Sequence, residues 1–555
     1  MNSNEILTGG EALVRGLETH GVDTVFGIPG AQIYGLFDAL QKASGNIRTI
    51  GARHEQGCAY MAYGYAKATG RPGVFSVVPG PGILNTGAGL LTAWGSTAPV
   101  LCLTGQVPSD FLGRERLHLH EMRDQLGTLR HITKWAERVD HPSQAPWLVA
   151  RAFQEMLSGR QGPVALEAPW EFFTRKAPAP GVAPLPLAPK PEPDPTWIAA
   201  AAKLLAGAKQ PMIFVGGGAL HAGESILALA EALEAPVSGL RSGKGIVSEE
   251  HALGFNMGSA GFVWPKCDVA VVIGSRFELL DIRWRWRPEG LKIIRIDIDP
   301  AEVRRLKVDV SIVADADDGA RALLAALPAA GAGGGGRMAA LADAKAAATA
   351  AFDEIQPQID YLKAIRAVLP RDGFMVEEIS QMGFTAWYGF PTYLPRTYVT
   401  GGHQGALGFG FPTALGVKAA HPDKAVVSVT GDGGFMFGVQ ELATAVQYGI
   451  NLVTVVFNNK SFGNVRRDQM QGFDGRLIGS DLVNPDFVKL AESFGIAAAR
   501  VTTPAELKTV LAKAIDADAP WLIEVEQPAG VETSPWKFIA PNFTGGSAGG
   551  GSPPP

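Results

Sequence analysis

Three doubly wound parallel-sheet α/β domains in succession are what this 555-residue chain predicts. Short apolar, β-branched runs alternate with segments of helical spacing, the pattern of strand–helix–strand crossovers in parallel sheets. Two low-complexity segments interrupt that alternation and divide the chain into thirds. An apolar content of 46% is ample for several cores, and the length alone suggests three or four units.

The first unit is expected over residues 1–173. Its "GARHEQGCAYMAYGYAKATGRPGVFSVVPGPG" reads as a short strand, a helix opened by Glu55 with Ala59, Ala62, Tyr63 and Ala66 inward, then a buried strand entering a Gly-Pro loop. A Pro-rich connector follows over 174–195, stiff and extended. The middle unit, 196–328, carries "PMIFVGGGAL", "DVAVVIGSRFE" and "LKIIRIDIDP", strand-like runs that end in Gly, Arg or Asp. A second connector, 329–350, begins with a glycine run and continues as a helix, and the third unit spans 351–530. Residues 531–555 hold an apolar stretch, "ETSPWKFIAPNF", and a low-complexity tail expected to be disordered. The apolar stretch is expected to close over the site as a lid, with Trp536 and Phe538 as its contacts.

In the third unit, "KAVVSVT" and "NLVTVVFNN" flank "FGVQELATAVQYG", whose Phe437, Leu442, Ala445, Val446 and Tyr448 recur at helical spacing. Asp432 and Asn459, 27 positions apart, thus fall at the carboxyl ends of neighbouring strands, the edge where open α/β sheets bind ligands. Two hard oxygen donors there suit Mg²⁺, and the flanking glycines let backbone approach a diphosphate. Taken alone, "GDG" is equally an Asp-Gly turn, and Glu55 equally a helix-capping residue.

Together these residues resemble the thiamine diphosphate (ThDP) enzymes of the acetolactate synthase group, over about residues 5–530. The motifs that carry the resemblance are "VFGIPG", "RHEQG", "TGQVP", "DIDPAE", "GGHQGALGFGFPTALG" and "GDGG" with its distant "NN". The resemblance implies a pyrimidine-binding, a middle and a diphosphate-binding domain. Asp432, Asn459 and the Ser461 carbonyl would hold Mg²⁺, with Gly431, Gly433, Gly434, Phe462 and Gly463 completing the diphosphate loop. Gly405, Ala406 and Leu407 would lie under the cofactor, Leu407 as the apolar wedge that keeps it bent, although ordinary core packing also explains a leucine there. Glu55 would hydrogen-bond N1′ of the aminopyrimidine. Because Glu and the Asp/Asn pair come from different subunits in this family, a homodimer or homotetramer is implied, with active sites at the interface.

The chain departs from the acetolactate pattern in the lining. "GNVRRDQ" stands for "GMVRQWQ", placing Asn464 and Asp468 where Met and Trp are usual. "LHE" stands for "FQE", so that His120 faces the cofactor as a catalytic or substrate-contacting group, or serves as a structural residue of a helix. "SQMG" (380–383) stands for "GQHQ". Ile28, Gln32, Asn464 and Trp536 are the substrate-contact candidates. In the middle unit, Arg276, Arg283, Arg285 and Arg287 with Trp284 and Trp286, and then Arg304, Arg305 and Lys307, read as a nucleotide site or as a solvated edge; FAD, ADP or CoA are the candidate ligands.

The resulting expectation is a ThDP- and Mg²⁺-dependent enzyme that makes or breaks a carbon–carbon bond beside a carbonyl of a 2-oxo acid or aldehyde. A 2-hydroxyacyl-CoA lyase or oxalyl-CoA decarboxylase acting on acyl-CoA is the alternative, and a catalytically dead scaffold on the same fold the remote one. Net charge is −5 with both signs interspersed, which argues against a nucleic-acid partner. No run of about 20 residues is continuously apolar, and the first residues lack a secretory pattern. Three distant cysteines, Cys58, Cys102 and Cys267, form neither a disulfide framework nor a zinc pattern and fit a cytoplasmic protein.

Overall fold

The computed structural model describes residues 5–277, 282–284, 286–328 and 336–543. Arg285, the glycine run 329–335 and the tail 544–555 lie outside the described residues. Three six-stranded sheets, each wholly parallel, form the three units. The central strands Gly73–Val77, Val100–Gln106, Val269–Ile273 and Val453–Asn458 are buried at every position, as expected of parallel strands covered by helices on both faces.

Across the first sheet the strands run Arg48–Gly51, Thr24–Gly27, Gly73–Val77, Val100–Gln106, Val164–Pro169, Trp135–Arg138. Across the third they run Tyr398–Val399, Phe374–Glu377, Val426–Gly431, Val453–Asn458, Trp521–Glu526, Ala497–Val501. In chain order both read second, first, third, fourth, sixth, fifth. The middle sheet differs: Gly254–Asn256, Val237–Gly239, Pro211–Val215, Val269–Ile273, Lys292–Asp297, Val310–Val313, or third, second, first, fourth, fifth, sixth. Each order reverses beside the first strand and opens a crevice at the carboxyl edge there; the first and third sheets reverse again at their far end, where the sixth strand lies inside the fifth.

The first and third units share a hydrophobic cluster in which Cys58, Met61 and Tyr65 pack with Phe411, Leu415 and Leu442. At its centre the helix Glu55–Thr69 crosses the helix Gly410–Ala420. The crossing admits no side chain: a Cβ on Gly64 would sit 2.1 Å from the Thr413 carbonyl oxygen, and one on Gly416 would sit 1.9 Å from that of Met61. The middle and third units share a second cluster.

Several expectations change. The Pro-rich connector does not begin as a free segment: Lys176–Pro178 pairs antiparallel with Ile6–Thr8, because Leu7 and Ala177 bury together. The expected helix after Gly434 is broken into Asp432–Phe435, a 3₁₀ turn at Val439–Glu441 and Leu442–Tyr448, with Gly438 at the junction. Leu442 and Ala445 are buried there, whereas Phe437 and Val446 face solvent. Trp284 is not a base platform but lies in the core against Phe214, Trp264 and Phe543. Phe538 packs on Phe352 and Tyr388 and is likewise core rather than lid.

Gly416→Ala forces a methyl into backbone and is expected to cost about 1–3 kcal/mol, as overpacking does. Scanning calorimetry should show a lowered unfolding midpoint, and an unchanged midpoint would mean the helix crossing is looser than described.

Candidate active site

At the crevice of the first sheet, the chain leaves Thr24–Gly27 through Ile28, whose N–H donates to the Ser76 carbonyl (3.1 Å) and ties the two strands that flank the reversal. Glu55 opens the helix Glu55–Thr69, but the cap is His54, whose ring accepts the Gln56 N–H (3.2 Å). Glu55 is therefore spared for another task, and its Oε2 accepts from Asn85 Nδ2 (3.0 Å). The loop after Gly73–Val77 turns at Gly80, φ +61°, and its N–H donates to Gln125 Oε1 (2.7 Å). Behind it, Gln125 Nε2 donates to Glu167 (2.8 Å), which also accepts from Arg138 (2.7 Å). This buried brace for the loop was not anticipated from sequence.

His120 is not on a helix. It occupies a turn at φ +64° and packs on the same loop, where a Cβ on Gly80 would lie 2.3 Å from its carbonyl oxygen. Its Nδ1 lies 2.7 Å from Gln32 Oε1, while Gln32 Nε2 donates to the Leu119 carbonyl (2.6 Å). An amide oxygen only accepts, so Nδ1 carries a proton and Nε2 is the nitrogen left clear of this contact. Gln32 is fully buried. The fold thus brings Ile28, Gln32, Glu55 and His120 to one edge.

At the corresponding crevice of the third sheet, Asp432 follows Val426–Gly431 and is only 2% exposed. Its Oδ2 accepts from Asn484 Nδ2 (2.6 Å), which is also 2.9 Å from Asn458 Oδ1. Burial pushes the carboxyl up to about 6, against the N–H groups of Asn484, Gly433, Lys460 and Ser461 that favour its ionised form. A buried carboxylate surrounded by neutral donors is what a divalent cation would complete. Asn459 caps the neighbouring strand, its Oδ1 accepting from Ser461 N (3.1 Å) and Oγ (2.9 Å). Close approach explains the glycines: a Cβ on Gly433 would meet Phe462 at 2.4 Å, on Gly434 Glu378 at 2.9 Å, and on Gly463 Asn459 Nδ2 at 2.9 Å.

Gly405 and Gly408 have φ of +59° and +82°, and Ala406 and half-buried Leu407 lie between them. The Gly408 and Gly410 N–H groups donate to Glu378 (3.2 and 2.8 Å), so this buried residue anchors the Leu407 loop. Burial pushes both Glu378 and its neighbour Glu377 up to about 7; Glu377 accepts from Trp387 Nε1 (3.1 Å) and the Tyr398 hydroxyl. Nothing in the sequence marked Glu377, Glu378 or Asn484, because a carboxyl or amide at a strand end is ordinary until its burial is known.

Beyond the Asn459 loop, Asn464 Oδ1 accepts from Trp536 Nε1 (3.2 Å) and from Arg467. Arg467 also donates to Gln381 Oε1 (3.2 Å) and Asp468 Oδ1 (3.2 Å), and Arg283 stacks on Trp536 at 4.9 Å. Asn464 and Trp536 are therefore together, in a polar cluster with Arg467 and Asp468. Glu55 belongs to the first sheet's edge and Asp432 and Asn459 to the third's; among the described residues no recorded hydrogen bond or ion pair joins the two groups.

The middle sheet's reversal opens on a cavity of about 530 Å³ between Gly216–Gly218 and Gly274–Arg276, with Lys67 reaching in from the first unit. Arg276 lines it. Arg304 is exposed and donates to the Pro300 carbonyl (3.4 Å), and Arg305 is held by Glu302 (2.8 and 2.9 Å); neither lines the cavity. The field inside is positive. Crowding and the guanidiniums of Arg241, Arg276, Arg283 and Arg305 press His403 down to about 3, although its ring keeps solvent access, and burial with Arg396 lowers Lys67 to about 8.

Three family models match the chain: the thiamine pyrophosphate enzyme N-terminal TPP binding domain over residues 7–128, the central domain over 198–323, and the C-terminal TPP binding domain over 378–525. The chain is 36% identical over 549 residues to the probable acetolactate synthase large subunit of Methanocaldococcus jannaschii, covering 94% of this chain and 92% of that one. It is 34% identical over 518 residues to the probable 2-ketoarginine decarboxylase of Pseudomonas aeruginosa, covering 90% of each. To the acetolactate synthase isozyme 3 large subunit of Escherichia coli it is 31% identical over 553 residues, covering 92% and 93%.

The raised carboxyls set a pH dependence. The folded ligand-free chain holds protons on Glu377, Glu378 and Asp432 that the unfolded chain releases near its ordinary carboxylate range. The stability they contribute is full below that range and lost as pH rises through about 6–7. Glu378→Gln should flatten the decline of the thermal midpoint across this window, and an unaltered slope would place the titration elsewhere.

Proposed function

The chain belongs to the thiamine pyrophosphate enzymes, on the acetolactate synthase-like branch, and from that premise we propose that it decarboxylates a small 2-oxo acid and transfers the remaining fragment to a carbonyl acceptor, with ThDP and Mg²⁺ as cofactors. The observation that carries this reading is the pair of matched crevices: Glu55 at the edge of one sheet, Asp432 and Asn459 at the edge of another with the same strand order. ThDP, when bound, supplies a carbon nucleophile and an electron sink.

The chain's own residues provide the rest. Asp432, Asn459 and the Ser461 carbonyl hold the Mg²⁺, and the burial of Asp432 among neutral donors supports that role. Gly431, Gly433, Gly434, Phe462 and Gly463 shape the diphosphate seat, and Leu407, with Gly405 and Ala406, supports the cofactor from below. Glu55, not spent as a cap, holds a proton at N1′ of the aminopyrimidine. His120, oriented by Gln32, presents Nε2 as a proton acceptor or donor toward substrate.

The two crevices serve one active site when two copies of the chain associate as a homodimer. Leu84 beside the Gly80 loop (58% exposed) and Phe437 beside Asp432 (51% exposed) give both crevices apolar rims that support such a contact. Among the described residues no helix is long and apolar enough to cross a membrane, and the three buried free cysteines support a cytoplasmic location. The positive cavity of the middle unit supports a phosphate-bearing nucleotide, FAD or ADP. Of the residues on which the acyl-CoA alternative leaned, Arg276 lines that cavity whereas Arg304 and Arg305 do not, and the 2-oxo acid reading is preferred on the similarity to acetolactate synthases and a 2-ketoarginine decarboxylase.

The polar cluster of Asn464, Arg467 and Asp468 favours a second outcome, release of the product after decarboxylation of a 2-oxo acid with a polar side chain; the Pseudomonas relative is named a 2-ketoarginine decarboxylase. Incubation with ThDP and Mg²⁺ on pyruvate and on 2-ketoarginine, with CO₂ release and product mass measured together, separates ligation from simple decarboxylation. No CO₂ from any 2-oxo acid would overturn both.

Glu55→Gln should keep ThDP binding and lose about 10²–10⁴-fold in turnover, the usual contribution of a positioned acid–base group; wild-type turnover would remove Glu55 from the mechanism. Asp432→Ala should weaken ThDP and Mg²⁺ together by calorimetry, because Asp432 would hold the cation that offsets the charge of the cofactor's diphosphate. Equal affinities would put the metal elsewhere.

A further inference from the structure

Asn459 meets the C-terminal segment on its far side. Its Nδ2 donates to Glu532 Oε1 (2.7 Å), 73 residues further on, while its Oδ1 faces Ser461. An asparagine amide can be turned either way, but the Ser461 N–H fixes the answer. The Ser461 backbone N–H only donates, so the atom toward it must be oxygen, and the atom toward Glu532 is then the amide nitrogen, which donates to the Glu532 carboxyl oxygen. The same Ser461 N–H lies beside the Asp432 carboxylate. Glu532 therefore holds the Asn459 oxygen on the Asp432 side.

We propose that Glu532 is a positioning residue of the metal site: by accepting the Asn459 amide hydrogen it keeps the Asn459 oxygen turned toward the cation, and so makes the C-terminal segment part of metal binding. The inference rests on the Mg²⁺ reading of Asp432 and Asn459. Four residues on, Trp536 donates to Asn464, so the segment grips both ends of the loop 459–464. Phe538 and Ile539, buried in the core shared with the middle unit, anchor the segment beyond. Outer partners of this kind orient the groups that touch a metal.

The test is calorimetry of MgCl₂ into the ThDP-saturated full chain for wild type, Glu532→Ala, Glu532→Gln and Asp432→Ala, with thermal midpoints recorded without Mg²⁺ or ThDP. Glu532→Ala should lose about 10–100-fold in Mg²⁺ affinity, as second partners of metal ligands do, at an unchanged cofactor-free midpoint. Glu532→Gln keeps an acceptor oxygen and should bind Mg²⁺ nearly as wild type does. If Glu532→Ala does not fold, Glu532→Leu, which also lacks an acceptor but keeps the volume, takes its place. Wild-type affinity in the acceptor-less variant overturns the proposal, as does an equal loss in Glu532→Gln, which would make charge and not orientation the contribution. If Asp432→Ala also binds Mg²⁺ normally, the metal reading itself fails; if only Asp432→Ala is impaired, the failure is confined to Glu532.

Discussion

The contact on which the architecture turns is the crossing of Glu55–Thr69 over Gly410–Ala420, where glycine meets backbone on both sides. Nearly every face of the first helix is buried, since it lies between its own sheet and the other unit. With no side chain at the crossing to act as a compressible spacer, the two units are held at one separation and one angle. The carboxyl edges of their sheets, where the functional candidates gather, inherit that fixed relation. Looser packing would leave two independent crevices instead of two halves of a defined pair.

Much of this was legible in the sequence, for identifiable reasons. Parallel strands buried on both faces are continuous apolar runs, so "VFSVV", "VAVVI" and "VTVVF" announced themselves, and the strand-end positions of Asp432 and Asn459 followed from them. Glu55 was legible by its place at a helix start. What was illegible depends on partners distant in the chain. His120 was expected on a helix, yet it sits in a left-handed turn with its ring against Gln32, 88 residues away. Trp284 looked like a ligand platform beside arginines and proved to be core, since one-dimensional spacing cannot tell an aromatic facing a cavity from one facing Phe214. Phe437 and Val446 match a buried stripe by period, but the break at Gly438 rotates them outward.

The third unit concentrates buried acid. Asp432, Glu377 and Glu378 lie at neighbouring strand ends within one sheet edge, each raised by burial and each surrounded mainly by neutral or backbone donors. Glu378 spends its lone pairs on the Leu407 loop and Glu377 on Trp387 and Tyr398, whereas Asp432 accepts from Asn484 and from N–H groups of the Asn459 loop. Similar burial thus serves two carboxyls that brace neighbouring segments and one that stands beside Asn459 and Ser461, and that position distinguishes the metal candidate from its neighbours.

The helix Glu55–Thr69 also has a second end. Glu55 opens it at the first crevice, and Lys67 near its close reaches into the middle cavity, within 3.8 Å of a Cβ built on Gly217. Twelve residues of α-helix span about 18 Å, and this rod is clamped along its length by the glycine crossing. The same rod therefore sets the distance between the first crevice and the middle cavity, so that one rigid element places a carboxylate in one compartment and an ammonium in the other.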